Sequence, residues 1–496
     1  MKPPFILRSR RAGKLHRQAG ITMLLVAMAM VAIIAMAALS IDVVTLYLAR
    51  MEAQRSADAA ALAAARVISL SGITGDPSDS SGSWALICGG SSSPATLAAV
   101  ASATQNVIGA ITPTVTVTYF TVGTSPTADC SGLPAAFGVN PLVTAQVTRS
   151  NLPTFFSRMW GNTGNTVTAT ATAEAFNASN SANIGNGPTG TITPVQPRCV
   201  KPWMVPNQDP LYQQPTGGNY CNQSGGPGPC TSLVDISSGQ IQHPGVSLNG
   251  TGAGGVIGET FWLSPDCTHT GSGCTFRTQM PKIQPYANFT GNPYVPNPPN
   301  LLYVPGQAPT AIPVAVPSCS SGQDLYQQAV AGCDQSTVYQ CGVQNMNTVD
   351  LSQNPDYDTS QGVQCLIDEG SPNTSQPDGQ DTLNPYAAPS SYPFQILAGS
   401  SNPLLGAGLA TGTPITSSAS IVSLPIYDST QNINTSGTTQ VTVVGFLQVF
   451  INQVDQYGTM SVTVLNVTGC SNGQGQPVGT AVTGSSPVPV RLITAP

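Results

Sequence analysis

Three histidines are the only imidazole side chains that could serve as a general base: His16, His243 and His269. Such a base works beside a serine, cysteine or carboxylate held at a recognisable spacing. His16 lies in a basic N-terminal tail, His243 precedes a proline, and His269 lies between two neighbouring cysteines. No GxSxG, HExxH or Walker-type motif occurs. We therefore expect no catalytic residue, no enzymatic activity, no cofactor and no small-molecule substrate.

One acidic run has the residue types of a calcium loop, in which alternate oxygen atoms converge on one ion. Residues 356–362 read DYDTSQG. Gln361 stands where the loop needs its glycine, and Ile367 occupies the twelfth position, where a glutamate is expected. A polar turn is the favoured interpretation and a calcium site near Asp356 is the alternative, so we predict no resident metal.

The twelve cysteines all follow the apolar N-terminal stretch, and an even count beyond a membrane span favours disulfides formed in an oxidising compartment. A zinc site would need shorter paired spacings such as CxxC, because even the closest pairs have six to eight residues between them. We predict disulfide loops, including one between Cys88 and Cys130. The cysteines are Cys88, Cys130, Cys199, Cys221, Cys230, Cys267, Cys274, Cys319, Cys333, Cys341, Cys365 and Cys470.

Charge is scarce and unevenly placed. Charged residues make up 8% of the chain, and residues 1–66 carry 9 basic and 3 acidic side chains, whereas residues 67–496 carry 7 and 19. The acidic part offers nothing that could neutralise a phosphate backbone, so nucleic-acid binding is excluded. Glycine and proline together supply 93 residues. This composition suits β-rich exported domains with long loops, and disorder of the middle third is the alternative.

The stretch Gly20–Ile41 contains 22 residues and no charge, and as a helix it is about 33 Å long, enough to cross a hydrocarbon core of about 30 Å. The preceding tail has no acidic residue and carries Lys2, Arg8, Arg10, Arg11, Lys14 and Arg17. This order predicts a single-pass span with a cytoplasmic N-terminus and an exported bulk.

Two other fates of this stretch remain open. Ala35-Met36-Ala37 has the small-x-small pattern of a signal peptidase site, but the uncharged run exceeds a usual signal h-region and its helical pattern continues past Asp42. An uncleaved anchor is therefore favoured. Prepilin-type cleavage after Gly20 is disfavoured, because Leu25 stands where such substrates usually carry glutamate.

Val43–Leu70 is predicted to be an amphipathic helix that ends in an alanine-rich block. Small side chains allow close helix approach, so this block can pack either on a partner helix or on its own domain, and a plain connecting helix is the third reading.

The order of residues across this region is similar to the N-terminal segment of the TadE/TadG-like Flp pilus-assembly proteins. The residues that carry the resemblance are Gly20, Asp42, Tyr47, Arg50, Gln54, Ala57, Asp58, Ala59, Ala60, Ala61 and Leu62. Shorter similarities occur at 152–156 with 167–173, at 423–428 and at 444–447.

The resemblance implies a component of a Flp (Tad) pilus or a related envelope secretion apparatus. It would be anchored in the bacterial inner membrane, with the bulk of the chain periplasmic or extracellular and with other pilus or secretion proteins as partners. An exported surface adhesin or binding module with a cleaved signal peptide is the alternative.

Some members of the family carry an adhesion domain whose metal site begins D-x-S-x-S. Asp76–Ser80 matches that string, but no hydrophobic strand precedes it, so we expect a solvated loop.

The predicted fold class is α+β, with a β-rich C-terminal domain. The predicted parts are a basic tail 1–19, a span 20–41, an alanine-rich helix 42–71, an α+β domain 72–178, a linker 179–195, an irregular disulfide-rich region 196–416 and a β-rich domain 417–496. Further helices are predicted at 94–108, 152–160 and 323–332. Strands are predicted at 115–122, 142–148, 166–176, 256–263, 310–316, 419–426, 438–454 (bent at Gly445), 459–467 and 488–493, the last closing the C-terminal sheet.

Overall fold

The computed structural model describes residues 18–71, 84–154, 161–177, 191–211, 232–243, 255–266, 300–309, 325–370, 378–384, 395–470 and 476–494. Within these ranges, 140, 162–163, 193–194, 238, 308, 335, 341–346, 416, 432, 435, 478–481 and 485 are not described. The predicted strand 310–316, the D-x-S-x-S string and most of the predicted linker lie outside the described residues.

Helix α1 runs without interruption through 53 residues, Gln18–Leu70. Alanine, leucine and methionine favour the helix along its length, and no proline interrupts it. This confirms the predicted continuation through Asp42. The other helices are α2 (Ala85–Cys88), α3 (Pro94–Gln105), α4 (Ala136–Val139), α5 (Leu325–Ala331) and α6 (Tyr357–Ile367).

Nineteen strands are formed by the described residues. They are β1 (Thr114–Phe120), β2 (Leu142–Leu152), β3 (Asn165–Ala175), β4 (Thr191–Ile192), β5 (Val195–Pro197), β6 (Trp203–Pro206), β7 (Thr260–Pro265), β8 (Asn300–Pro305), β9 (Asn347–Asp350), β10 (Thr382–Asn384), β11 (Gln395–Leu397), β12 (Pro414–Ile415), β13 (Ile421–Tyr427), β14 (Thr438–Val441), β15 (Val443–Val454), β16 (Met460–Gly469), β17 (Gln476–Pro477), β18 (Val482–Gly484) and β19 (Val490–Ile493). The mixed α+β class with a β-rich C-terminal part is as predicted.

The chain forms two compact units. The first contains residues 1–57, 103–115 and 146–170, and the second contains 58–102, 116–145 and 171–496. In the first unit, α1 is accompanied by a tight turn at Gly109 and Ala110, both with positive φ, which Ile108 and Ile111 close through two backbone hydrogen bonds.

Four strands form a sheet in the order β1-β2-β3-β19. The assignment of 488–493 to the C-terminal sheet was wrong, because β19 pairs antiparallel with β3. Arg491 forms an ion pair with Glu174 on β3, and its guanidinium lies 5.3 Å from the ring centre of Phe176. The predicted helix 152–160 is also not seen where the chain is described, because Leu152 ends β2 and residues 153–154 form a loop.

The second unit contains a closed barrel in the order β13-β15-β16-β7-β8-β6. Its interior holds a large apolar cluster that includes Trp203, Phe261, Leu424, Leu447 and Val462. Three of its strands, β6, β7 and β8, come from the region expected to be irregular, and only β7 overlaps a predicted strand. A short strand bounded by prolines gives little local signal, and barrel closure supplies the pairing that stabilises it.

Strand β15 has nine consecutive buried residues from its first position. The predicted run 438–454 is divided by Thr442 into β14 and β15, and β14 pairs with β9. At Gly445 a β-carbon would lie 2.5 Å from the carbonyl oxygen of Thr468 on β16. The glycine therefore permits close approach of the two backbones. The pairing of β15 with β13 shifts register at this position, since Ile426 pairs with Gly445 and Tyr427 with Val443, and the pairing with β16 shifts farther along, after Gln448 and Ile451.

Candidate functional site

The N-terminal part of α1 presents an apolar surface that no other described residue covers. From Ile21 to Ile41 the side chains whose exposure is defined are all exposed. Among the described residues this is the one helix long and apolar enough to cross a membrane, a criterion of length and composition that signal sequences also meet.

Asp42 begins the part of the helix that is covered by the first unit. Its side chain is 6% exposed, and the hydroxyl of Thr45 donates to its backbone carbonyl at 2.9 Å. Beside it is a cavity of about 230 Å³, lined by helix residues that include Glu52 and by residues of the β2–β3 region that include Leu152 and Asn165.

Three hydrogen bonds attach the next turns of the helix to the rest of the first unit. The Oε2 atom of Glu52 accepts from the backbone N–H of Gly109 at 2.8 Å. The amide of Gln54 donates to the carbonyl of Thr170 at 3.3 Å, and the hydroxyl of Ser56 donates to the carbonyl of Ala103 at 3.5 Å. The helix is therefore held from several sides.

Beyond Asp42, most alanines of α1 lie on the face that the chain itself buries. In the first unit these residues are Ala49, Ala53 and Ala57, each at most 3% exposed. In the second unit Ala60, Ala61, Ala64, Ala65 and Ile68 are fully buried. Of the alternatives left open by the sequence, packing on its own domain is therefore the one adopted, and these alanines are not available to a partner helix.

A comparison with protein-family models matches residues 20–67 to the family described as "Putative Flp pilus-assembly TadE/G-like". This chain has a TadE/G-like N-terminal segment. The match ends where α1 ends, within three residues, and it covers about a tenth of the chain. No curated protein and no solved structure matches the sequence.

The TadE/G-like segment places its signature residues in two environments. Asp42, Ala57, Ala60 and Ala61 are buried, Gly20 lies in the first turn of α1, and Asp58, Ala59 and Leu62 are partly exposed. Tyr47, Arg50 and Gln54 are exposed. The buried set holds the helix to its own fold, as does the hydrogen bond from Gln54 to Thr170, so Tyr47 and Arg50 are the exposed signature residues that can contact other molecules.

Two disulfides join described cysteines. Cys88–Cys130 is the predicted loop, and Cys199–Cys333 joins residues 134 positions apart. The second bond therefore closes a long loop. Cys365 and Cys470 are also disulfide-bonded. The remaining six, Cys221, Cys230, Cys267, Cys274, Cys319 and Cys341, lie outside the described residues.

Residues 356–362 form neither the polar turn that was favoured nor the calcium loop that was the alternative. Asp356 is the N-cap of α6, where its carboxylate accepts the backbone N–H of Tyr357 at 2.7 Å, and the next residues are helical. A helix cannot converge alternate side chains on one ion as the loop does. Within the part of the chain that the structure describes, no group of three His, Cys, Asp or Glu residues could hold a metal ion.

Buried carboxyl groups in the second unit were missed by the sequence analysis. Burial, with the neighbouring charge of Asp209, raises the pKa of Glu259 to about 10. The Nδ1 atom of His243 lies 3.3 Å from an oxygen of that same aspartate. Burial also raises the pKa of Glu369 and of Asp455 to about 7. No local sequence pattern indicates such groups, because the residues that bury them are distant in sequence. These carboxyl groups make the stability of the fold depend on pH.

Burial has the opposite effect on Lys201, whose pKa it lowers to about 7. Its ammonium donates to the carbonyl oxygen of Gly332 at 2.5 Å, next to the disulfide-bonded Cys333. The lysine thus closes the end of α5 inside the second unit. His16, His269 and the D-x-S-x-S string lie outside the described residues, so their predicted roles stay predictions.

Proposed function

We propose that this protein is a membrane-anchored structural component of a Flp (Tad) pilus or of a related envelope secretion apparatus, and that it has no enzymatic activity. The observation that carries the proposal is the coincidence of the TadE/G-like match with helix α1. The exposed apolar part of that helix has the length of a membrane span, and its alanine face is the part held by the chain.

The proposed mechanism is mechanical. Helix α1 is continuous from Gln18 to Leu70 and contributes residues to both compact units. A continuous helix resists bending, since each turn is closed by backbone hydrogen bonds. The anchor therefore keeps the exported part next to the bilayer, where it can contact pilus or secretion proteins.

The proposed location is the inner membrane, with the N-terminus in the cytoplasm. Six basic and no acidic residues precede the span, which is the charge bias that sets orientation. Disulfides beyond the span agree with an oxidising exported compartment.

Deletion and complementation test the function. Cells lacking this gene should lose surface Flp pili, and the full chain should restore them. A chain in which Leu24, Val31 and Ile34 are replaced by arginine should not, because three charges abolish the span. In the matched control, arginine replaces three exposed residues outside the span, Leu97, Val122 and Leu404. This control chain should restore the pili. Normal piliation of the deletion strain would contradict the proposal.

The exported adhesin remains a second candidate because Ala35-Met36-Ala37 lies in the uncovered part of α1. Cleavage there would leave the packing of residues 42–57 intact. The mass of the mature N-terminus separates the fates: a chain that retains Lys2 is anchored, one that begins at Ala38 is secreted, and one that begins at Ile21 is processed like a pilin.

A further inference from the structure

The exposed apolar surface of α1 continues beyond the predicted end of the span at Ile41. Between Asp42 and Ala57 one side of the helix is buried by the first unit, through Asp42, Ala49, Ala53, Ser56 and Ala57. The opposite side carries an apolar stripe, which we define as Val43, Val44, Tyr47, Leu48 and Met51. Of these, Leu48 lies at the edge of the stripe and also borders the cavity. These five side chains are between 52% and 66% exposed.

The stripe ends abruptly. Successive residues of an α-helix are rotated by about 100°, so Gln54 lies on nearly the same side of the helix as Tyr47, two turns farther on. Likewise Arg55 lies on nearly the same side as Val44. Both positions are exposed and polar. The change from an apolar to a polar outer surface therefore occurs between Met51 and Gln54.

Asp42 does not mark that change, because its side chain points into the protein. It is 6% exposed and lines the cavity of the first unit together with Thr45 and Glu52. A carboxyl group shielded by its own protein can lie at membrane depth, as ionisable groups that face a protein interior do.

From these observations we propose that the outer face of the bilayer reaches to Met51, and that the apolar stripe is seated in the lipid interface with Tyr47 at the headgroup level. This rests on the proposed anchor. The helix from Ile21 to Met51 is about 45 Å long, close to the thickness of about 40–45 Å of a bilayer with its headgroup regions. A modest tilt accommodates the remainder.

Residues at the end of the stripe suit this boundary. The exposed Arg50, beside Met51, can reach lipid phosphates, and a tyrosine at the interface has its ring in the apolar layer and its hydroxyl in water. The turn that Glu52 binds through Gly109 also exposes two apolar side chains, Val107 and Ile111.

Lipid is favoured over a partner helix by the side chains themselves. Helices that associate within membranes use small residues to bring their backbones together. The stripe contains none, and the small residues of this segment are already buried on the other side of the helix. Bulky, branched and aromatic side chains are those that contact lipid chains and headgroups.

The test is photo-crosslinking of the full chain in cell membranes. Benzoylphenylalanine is introduced singly at Tyr47 and Met51, with Val31 as the control inside the span and Gln54 as the matched control beyond the stripe. All four side chains are exposed, so the probe displaces no core residue, and at Gln54 it removes the hydrogen bond to the carbonyl of Thr170. Mass spectrometry then identifies phospholipid or polypeptide adducts.

Phospholipid adducts at Val31, Tyr47 and Met51, and at least tenfold fewer at Gln54, are expected. Adducts at Val31 alone would overturn this inference and leave the anchor intact, whereas no lipid adduct at any position would overturn both. Polypeptide adducts at Tyr47 or Met51 would show that a protein occupies the stripe. Equal lipid labelling of Gln54 and Tyr47 would place the boundary elsewhere. Every outcome other than the expected one therefore contradicts the proposal.

Discussion

The Oε2 atom of Glu52, on the N-terminal helix, lies 2.8 Å from the backbone nitrogen of Gly109 and accepts its hydrogen bond. The two residues are 57 positions apart. Through this bond the helix holds a tight turn whose two central residues both have positive φ. The turn is thus stabilised from outside as well as by its own backbone.

Replacing Glu52 by alanine should weaken this turn. A hydrogen bond to a charged acceptor contributes about 1.5 kcal/mol, so the amide of Gly109 should exchange with solvent about tenfold faster in Glu52→Ala. Hydrogen exchange of peptides covering 106–112, followed by mass spectrometry, measures this. Glu52→Gln retains an acceptor oxygen and is the control. Equal exchange in the alanine variant and the unmodified protein would show that the contact contributes nothing.

The conformation of the turn predicts opposite effects at its two central positions. Gly109 has φ 55° and Ala110 has φ 61°, a region that glycine adopts readily and alanine does not. Ala110→Gly should stabilise the first unit and Gly109→Ala should destabilise it, each by about 1 kcal/mol. Urea unfolding of the detergent-solubilised chain, monitored by amide hydrogen exchange in residues 103–115, gives the change in the free energy of unfolding for each variant. Changes of the same sign would contradict the assigned geometry.

The sequence was sufficient for elements whose signal is local. Helix α1 was predicted over its length because a run of good helix formers ends just before Gly72, and β16 was predicted because its β-branched residues form one continuous stretch. Strands β6 and β8 were not predicted, because they are short and stabilised by partners far away in sequence. The partner of β19 was misassigned for the same reason.

The candidate site follows the same division. The sequence was sufficient to predict which residues of α1 belong to the family signature. It was not sufficient to predict which face of the helix is buried. The pairing of Cys199 with Cys333 and the burial of Glu259 beside Asp209 depend on contacts between distant segments. Sequence spacing carries no information about such contacts.

The buried aspartate at the β15–β16 turn predicts a dependence of stability on pH. Burial raises the pKa of Asp455 to about 7, well above its usual value. Between about pH 4 and pH 7 the carboxyl group is therefore protonated in the folded state and ionised in the unfolded state. The stabilisation is complete below about pH 4 and is lost as the pH rises through 7. Glu369, with a pKa of about 7, acts in the same direction.

Between pH 5 and pH 7 the free energy of unfolding should therefore fall. Asp455→Asn keeps an oxygen that can accept the backbone N–H groups of Tyr457 and Thr459 but cannot ionise. The decline should be smaller in this variant by about 2 kcal/mol. Lys201 does not interfere, because its lowered pKa adds stability only as the pH rises above about 7. Denaturant unfolding at both pH values tests this, and an unchanged decline in the variant would assign the pH dependence to other groups.

Two neighbouring alanines of α1 allow the packing of the helix to be tested with a built-in control. Ala60 is fully buried and Ala59 is partly exposed, and both belong to the second unit. Leucine is nearly as good a helix former as alanine, so the two substitutions differ mainly in the space around the side chain. Ala60→Leu should overpack its site and lower the free energy of unfolding by about 1–3 kcal/mol, whereas Ala59→Leu should change it by less than about 0.5 kcal/mol. Guanidinium unfolding of the two variants measures the difference. Equal stability would mean that the alanine face is not packed on the chain, and that face would then be free for a partner helix after all.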